Sequence, residues 1–194
     1  MNFGIIYGQS AFGLAKALGI EQEQAAAFID AYFNRYPGVE KFLAKILEDC
    51  QAKGYVGTIL GRRRAIQGIR PNAGRRATRS ESVDHAGQEE TQTGFNRQRN
   101  LPERTAINTV IQGSAADLIK QAMIAIAHRL EREASPAKML LQIHDELVFE
   151  VPTDHVDRLA RLVVEEMSGV MLLSVPLKVD VKTGRNWAET EPWN

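Results

Sequence analysis

The stretch from Met139 to Val151, Met-Leu-Leu-Gln-Ile-His-Asp-Glu-Leu-Val-Phe-Glu-Val, narrows most what this chain can become. Two apolar, β-prone runs flank a charged centre of His144, Asp145 and Glu146, and the pattern predicts a hairpin in which residues 140–143 pair back against 147–151. A hairpin tip ordinarily carries Asn-Gly, Asp-Gly or another glycine-containing pair, because its tight turn needs positive φ. This tip has neither glycine nor proline. The residues alone leave two readings open: a solvated turn between core strands, or a tip whose histidine and carboxylates have a chemical task.

The rest of the composition sets bounds. At 194 residues and 44% hydrophobic residues, the chain can bury a core of its own. Its formal net charge is zero, yet between Arg62 and Arg104 stand ten arginines against five carboxylates, a local basic stretch suited to an anionic polymer. Cys50 is the only cysteine, which excludes an intramolecular disulfide and a cysteine-cluster zinc site. It falls on an apolar helical stripe and reads as a small core residue. No basic segment followed by an apolar one opens the chain, and no run is long enough to span a bilayer, so no membrane partner is expected and a reducing, cytoplasmic compartment is the default.

Taken in order, residues 1–20 read as helix interrupted by glycines. Phe3 and Tyr7 stand four apart on one predicted helical face, each followed by a glycine that invites close approach, and the two aromatics fit either a core or a ligand. Two amphipathic helices follow, one striped by Ala25, Phe28, Ile29, Tyr32 and Phe33, the other by Val39, Phe42, Leu43, Ile46, Leu47 and Cys50. Tyr36-Pro37-Gly38 separates them, with Pro37 in the first turn of the second. Tyr55 to Leu60 predicts a short strand. Arg62, Arg63 and Arg64 then offer guanidinium forks matched to phosphate, or else form a solvated basic turn. From about Gly68 to Asn100 periodicity vanishes, which predicts a long loop or insertion, with His85 as plain surface.

Pro102-Glu103 opens the longest helical pattern, with an apolar stripe running from Ile107 to Leu130. Beside that stripe Arg104, Asn108 and Gln112 recur every four residues, so they share one edge, which either lines a groove or is merely solvated. Arg, Asn and Gln are the donors that read phosphates and base edges. Gly113-Ser114-Ala115-Ala116 gives the same helix a small-residue patch open to another backbone or a ligand. After the hairpin, Pro152-Thr153-Asp154 caps a further helix, and Leu177, Val179 and Val181 alternate with polar residues as a half-exposed strand.

Three separated pieces together resemble family A DNA polymerases, of the bacterial DNA polymerase I type. Asn2-Phe3-Gly4-Ile5-Ile6-Tyr7-Gly8 resembles the second half of their motif B, and Gln142-Ile143-His144-Asp145-Glu146 resembles motif C. The stretch from Glu103 to Gly113 is similar to the helix that tracks the primer–template. The Tyr36-Pro37-Gly38-Val39, Gly61-Arg62-Arg63 and Gly184-Arg185-Asn186-Trp187 elements match in order, while 68–100 looks longer than the family's connector. The resemblance implies an α+β fold: a helical fingers portion plus part of a palm with a small antiparallel sheet and flanking helices. Residues 1–60 would hold the distal fingers helices and the start of a short strand element, 61–101 an arginine-rich loop or insertion, and 102–194 the C-terminal palm with the motif C hairpin.

Carried over residue by residue, the resemblance implies that Phe3 lies against the incoming dNTP and Tyr7 beside the nascent base pair. Arg104, Asn108 and Gln112 would contact the primer–template DNA, with Arg62 and Arg63 as further DNA contacts. Asp145 would be one of two carboxylates holding catalytic Mg2+ ions, His144 would support the primer terminus, and Glu146 would assist. The family's motif B begins with an arginine and a lysine that grip the triphosphate, and its motif A carries the other metal-binding aspartate; both would precede Met1. The expectation is a C-terminal polymerase part, inert alone; motif A would come either from an upstream polymerase fragment acting in trans or from a longer chain whose start lies before Met1. The rival expectation is a non-catalytic DNA-binding module, or a remnant, that uses the arginines between 62 and 104.

Overall fold

The computed structural model describes residues 2–71 and 99–193; the side chains of Asn2 and Phe3 lie outside that description. His85 and most of the predicted 68–100 loop also fall outside the described residues. The fold is α+β, with six helices and three two-stranded antiparallel sheets among the described residues. The chain divides into two compact units, Met1–Gly113 and Ser114–Asn194, with the boundary inside the longest helix.

The first unit opens with α1 (Asn2–Ile6) and α2 (Ala11–Leu18). Ser10 caps α2 by accepting the Gly13 amide at 3.1 Å, which satisfies an otherwise unpaired donor of the first turn. Next come α3 (Gln22–Arg35) and α4 (Pro37–Lys53), separated by Tyr36, with Pro37 in the first turn of α4 as predicted. Ala25, Ile29 and Phe33 of α3 bury against Leu43, Leu47 and Cys50 of α4, and Leu14, Val56 and Ile107 complete the core. Cys50 is therefore a core residue, and burial raises its thiol above the usual value.

Two local expectations are corrected here. The strand predicted over Tyr55–Leu60 ends early: β1 is Tyr55–Gly57, and it pairs with β2, Arg63–Ala65, in a hairpin. The chain reverses because Thr58 accepts the Gly61 amide on its carbonyl and the Arg62 amide on its hydroxyl, with Gly61 at φ +80. Likewise Tyr7 does not continue the helical face of Phe3. The helix α1 stops at Ile6, and Gly8 at φ +87 turns the chain away.

The helix α5 (Leu101–Arg132) starts on a capping box. The Glu103 amide donates to Asn100 Oδ1 at 2.9 Å, and the Asn100 amide donates to Glu103 Oε2 at 3.0 Å.

In the second unit, β3 (Lys138–Ile143) and β4 (Glu146–Glu150) form the predicted antiparallel hairpin. The register shifts between Met139 and Leu141, a bulge that leaves Leu140 and Leu141 both exposed. Met139, Leu147 and Phe149 pack with Ile126 and Leu130 of α5 and with Leu159, Leu162 and Val163 of α6 (Val156–Ser168). A 3₁₀ turn over Thr153–His155 leads into α6. Arg129 binds Glu133, Glu165 and Glu166 at 2.7–2.9 Å, which joins the end of α5 to α6.

The last strand is also corrected. The β5 strand is Lys182–Gly184, paired with β6 (Thr190–Pro192), so it begins where the predicted 177–181 strand ends. Leu177, Val179 and Val181 do alternate between half-buried and exposed neighbours, but no strand among the described residues pairs with 177–180. Alternation specifies the face; a strand also needs a ladder partner. Among the described residues, no helix is long and apolar enough to cross a membrane.

Candidate active site

The hairpin tip is built from the strands inward. Ile143 pairs with Glu146, leaving His144 and Asp145 as a two-residue turn. His144 sits at φ +53, the left-handed region that costs a non-glycine residue roughly 1–2 kcal/mol. Gln142 helps to hold it there by donating its side-chain amide to the His144 carbonyl at 2.7 Å. His144, Asp145 and Glu146 are all exposed, and Glu146 opens β4 rather than sitting in the turn. Asp145 is thus carried on a short, ordered projection in contact with solvent.

The first unit assembles a second set of predicted residues. Arg104 and Gln112 are exposed on α5 with half-buried Asn108 between them, so the predicted ladder occupies one edge of the helix. The Asn108 Oδ1 atom is buried and accepts no hydrogen bond among the described residues. An unmet buried acceptor costs about 1–3 kcal/mol. The Tyr7–Gly8 turn comes to the same helix: a Cβ on Gly8 would stand 3.7 Å from Arg104 Cγ. Tyr7 itself is half-buried against the first core. The Phe3 side chain lies outside the described residues.

The predicted arginine clamp has protein partners. Arg62 donates to the Gly113 carbonyl at 3.1 Å and Arg64 to Thr109 Oγ1 at 3.1 Å, while the Arg63 guanidinium lies 4.9 Å from the centre of the Tyr55 ring. The Arg62 and Arg64 contacts seat the β1–β2 hairpin on α5, and Thr58 approaches Gly113 of the small-residue patch.

Sequence reasoning missed the cluster at the head of α5. Arg70 makes a two-pronged ion pair with Glu103, Nε to Oε1 at 2.8 Å and Nη2 to Oε2 at 2.7 Å, and Glu103 is only 1% exposed. Burial alone would push the Glu103 carboxyl up, but hydrogen bonds from Arg70 and Asn100 together with the Arg70 charge hold it below its ordinary 4.5. The spacing Asn100-x-x-Glu103 ahead of an apolar run was a readable signal for the cap. Nothing local signalled the neighbouring Arg99, whose partner is the Ile6 carbonyl at 3.0 Å, 93 positions away.

The family model for DNA polymerase family A matches residues 1–189. DNA polymerase I of Geobacillus stearothermophilus is 44% identical over 191 residues, and that of Pseudomonas aeruginosa 40% over 189 residues; these cover 98% and 97% of this chain. The matched regions are 19% and 18% of those proteins, so the chain spans about a fifth of their length. Among solved structures, the POL domain of Pol1 from M. smegmatis, in complex with DNA primer-template and dNTP, aligns with a TM-score of 0.72 at 35% identity. That alignment covers 92% of this chain and 28% of the other. With a family match over nearly its whole length and a polymerase domain as its structural neighbour, the chain belongs to DNA polymerase family A.

Proposed function

We propose that this chain carries the distal fingers and C-terminal palm of a template-directed DNA polymerase, which joins a dNTP to a primer 3′-hydroxyl, in the cytoplasm at the nucleoid. The observation that carries the reading is the Asp145 carboxylate, exposed on a hairpin tip held at positive φ within a family A chain. A hard carboxylate oxygen on an exposed turn suits Mg2+. Among the described residues there is no group of three or more His, Cys, Asp or Glu able to hold a metal, so Asp145 fits as one ligand rather than a whole site. The family resemblance assigns the second metal-holding carboxylate to motif A, which an upstream polymerase fragment would supply. When bound, two such ions activate the 3′-hydroxyl and neutralise charge on the triphosphate.

The chain's own residues take the binding and orienting roles. Phe3 and Tyr7 hold the incoming nucleotide and the nascent pair. Arg104, Asn108 and Gln112 track the primer–template, with Arg62 and Arg63 beside them, and His144 and Glu146 flank Asp145 at the primer end. Residues 1–113 contain 15 Lys and Arg against 11 Asp and Glu, the sign required to attract DNA, while residues 114–194 contain 9 against 13.

The purified chain, given primed template, dNTPs and Mg2+, should extend no primer alone, and an upstream segment bearing motif A should restore extension. In that restored system Asp145→Ala should abolish incorporation while duplex binding measured by fluorescence anisotropy persists. Incorporation that survives Asp145→Ala sinks the catalytic assignment. Magnesium-independent, salt-sensitive duplex binding with no incorporation in any combination favours the alternative, a non-catalytic DNA-binding module.

A further inference from the structure

Arg99 falls outside every role given above, yet it stands between two of them. Its Nη1 donates to the Ile6 carbonyl at 3.0 Å, capping the C-terminal end of α1 immediately before Tyr7. Its aliphatic stem lies over Gly8: a Cβ there would be 3.1 Å from Arg99 Cδ and 3.4 Å from Nη1. Gly8 has φ +87, so the turn is shaped to admit that side chain. On its other side Arg99 adjoins Asn100, which with Glu103 closes the capping box of α5. Burial lowers the guanidinium to about 10 against the raising effect of the nearby Glu103 carboxylate, so the group is a desolvated cation at neutral pH. A half-buried arginine that donates to a helix-end carbonyl ties the turn in place.

We infer that Arg99 is a positioning residue for Tyr7, fixing the Tyr7–Gly8 turn against the first turn of α5, through the Ile6 carbonyl and the space above Gly8. The inference rests on the proposed role of Tyr7 at the nascent base pair and names the group that holds that residue in place. It also brings the turn to Arg104, whose Cγ stands 3.7 Å from the same Cβ position of Gly8. A change at Arg99 therefore reaches Tyr7 without touching substrate.

The test uses the full chain labelled with 3-fluorotyrosine, whose four tyrosines give four fluorine resonances, with Tyr7 assigned by loss of its signal in Tyr7→Phe. In Arg99→Met, which keeps the stem and loses the fork, the Tyr7 resonance should move or broaden while those of Tyr32, Tyr36 and Tyr55 stay in place. Arg99→Lys, still able to donate one hydrogen bond, should restore part of the shift, and it carries the test should Arg99→Met not fold. Gly8→Ala intrudes from the opposite side and should displace the same resonance. A Tyr7 signal identical to wild type in every folded variant overturns the inference, as does equal movement of all four signals. Anisotropy with a labelled primer–template separates this from the polymerase reading. If Tyr7 moves but the chain completed by the upstream segment bearing motif A binds no duplex, the polymerase reading fails and the positioning role stands. If duplex binding weakens in Arg99→Met while Tyr7 is unmoved, Arg99 is a DNA contact and the positioning role falls.

Discussion

His144 occupies backbone space at φ +53 that glycine would occupy more easily, so its side chain is kept there at a conformational cost. His144→Gly should therefore leave the melting temperature unchanged or raise stability by up to about 1 kcal/mol, the relief of the left-handed strain being partly offset by glycine's chain entropy. A clear loss on calorimetry would show that the imidazole holds the tip through contacts. Glu103 poses the opposite case, a buried carboxylate held below 4.5 by Arg70 and Asn100. A depressed carboxyl contributes stability that is fully present above its unfolded value and is lost as pH falls through the folded one. The wild type should exceed Glu103→Gln in thermal stability at pH 7, and that margin should shrink as pH drops below 4.5. A margin independent of pH would mean that the carboxylate charge is not what binds Arg70. Removing Arg70 instead strands a buried charge and should cost about 3 kcal/mol or more.

At the scale of elements, the seat of the β1–β2 hairpin on α5 depends on a missing methyl group. A Cβ at Gly113 would lie 2.7 Å from Thr58 Cγ2, inside any tolerable contact. Gly113→Ala should destabilise the chain by about 1–3 kcal/mol in chemical denaturation, the usual range for overpacking. Adding Thr58→Ser should recover most of that, since serine drops the methyl yet keeps the hydroxyl that accepts the Arg62 amide. The helices were legible because their apolar residues recur at a period of 3.6 and because Pro37 punctuates the boundary between α3 and α4, and the 138–150 hairpin because two apolar, β-prone runs flank a charged centre. The β2 strand was not, because Arg63-Arg64-Ala65 is exposed throughout and is held by arginine contacts to α5 and Tyr55 rather than by an apolar face. Residues 177–180 show the converse, an alternation that reads correctly as a face with no strand among the described residues to pair with. The candidate site divides the same way. The tip and the ladder follow from local spacing, whereas the departure of Tyr7 from the helix depends on the backbone of Gly8, and its tie to Arg99 joins residues remote in sequence.

Across the whole molecule, two units each close a core of their own, one around Leu43 and Ile107, the other around Ile126 and Leu159. Their charges differ in sign, basic in 1–113 and acidic in 114–194, so a net charge of zero is the sum of two opposite excesses. The head of α5 adds a property of the chain as a path. Asn100 donates its side-chain amide to the Gly68 carbonyl at 3.0 Å, and Arg70 grips Glu103, so the chain leaves this point after Arg70 and comes back to it at Arg99. The residues on either side of 72–98 are thus tied to one place, so the α1 turn, the cap of α5 and the Arg70–Glu103 pair share a single anchoring point at the start of one helix.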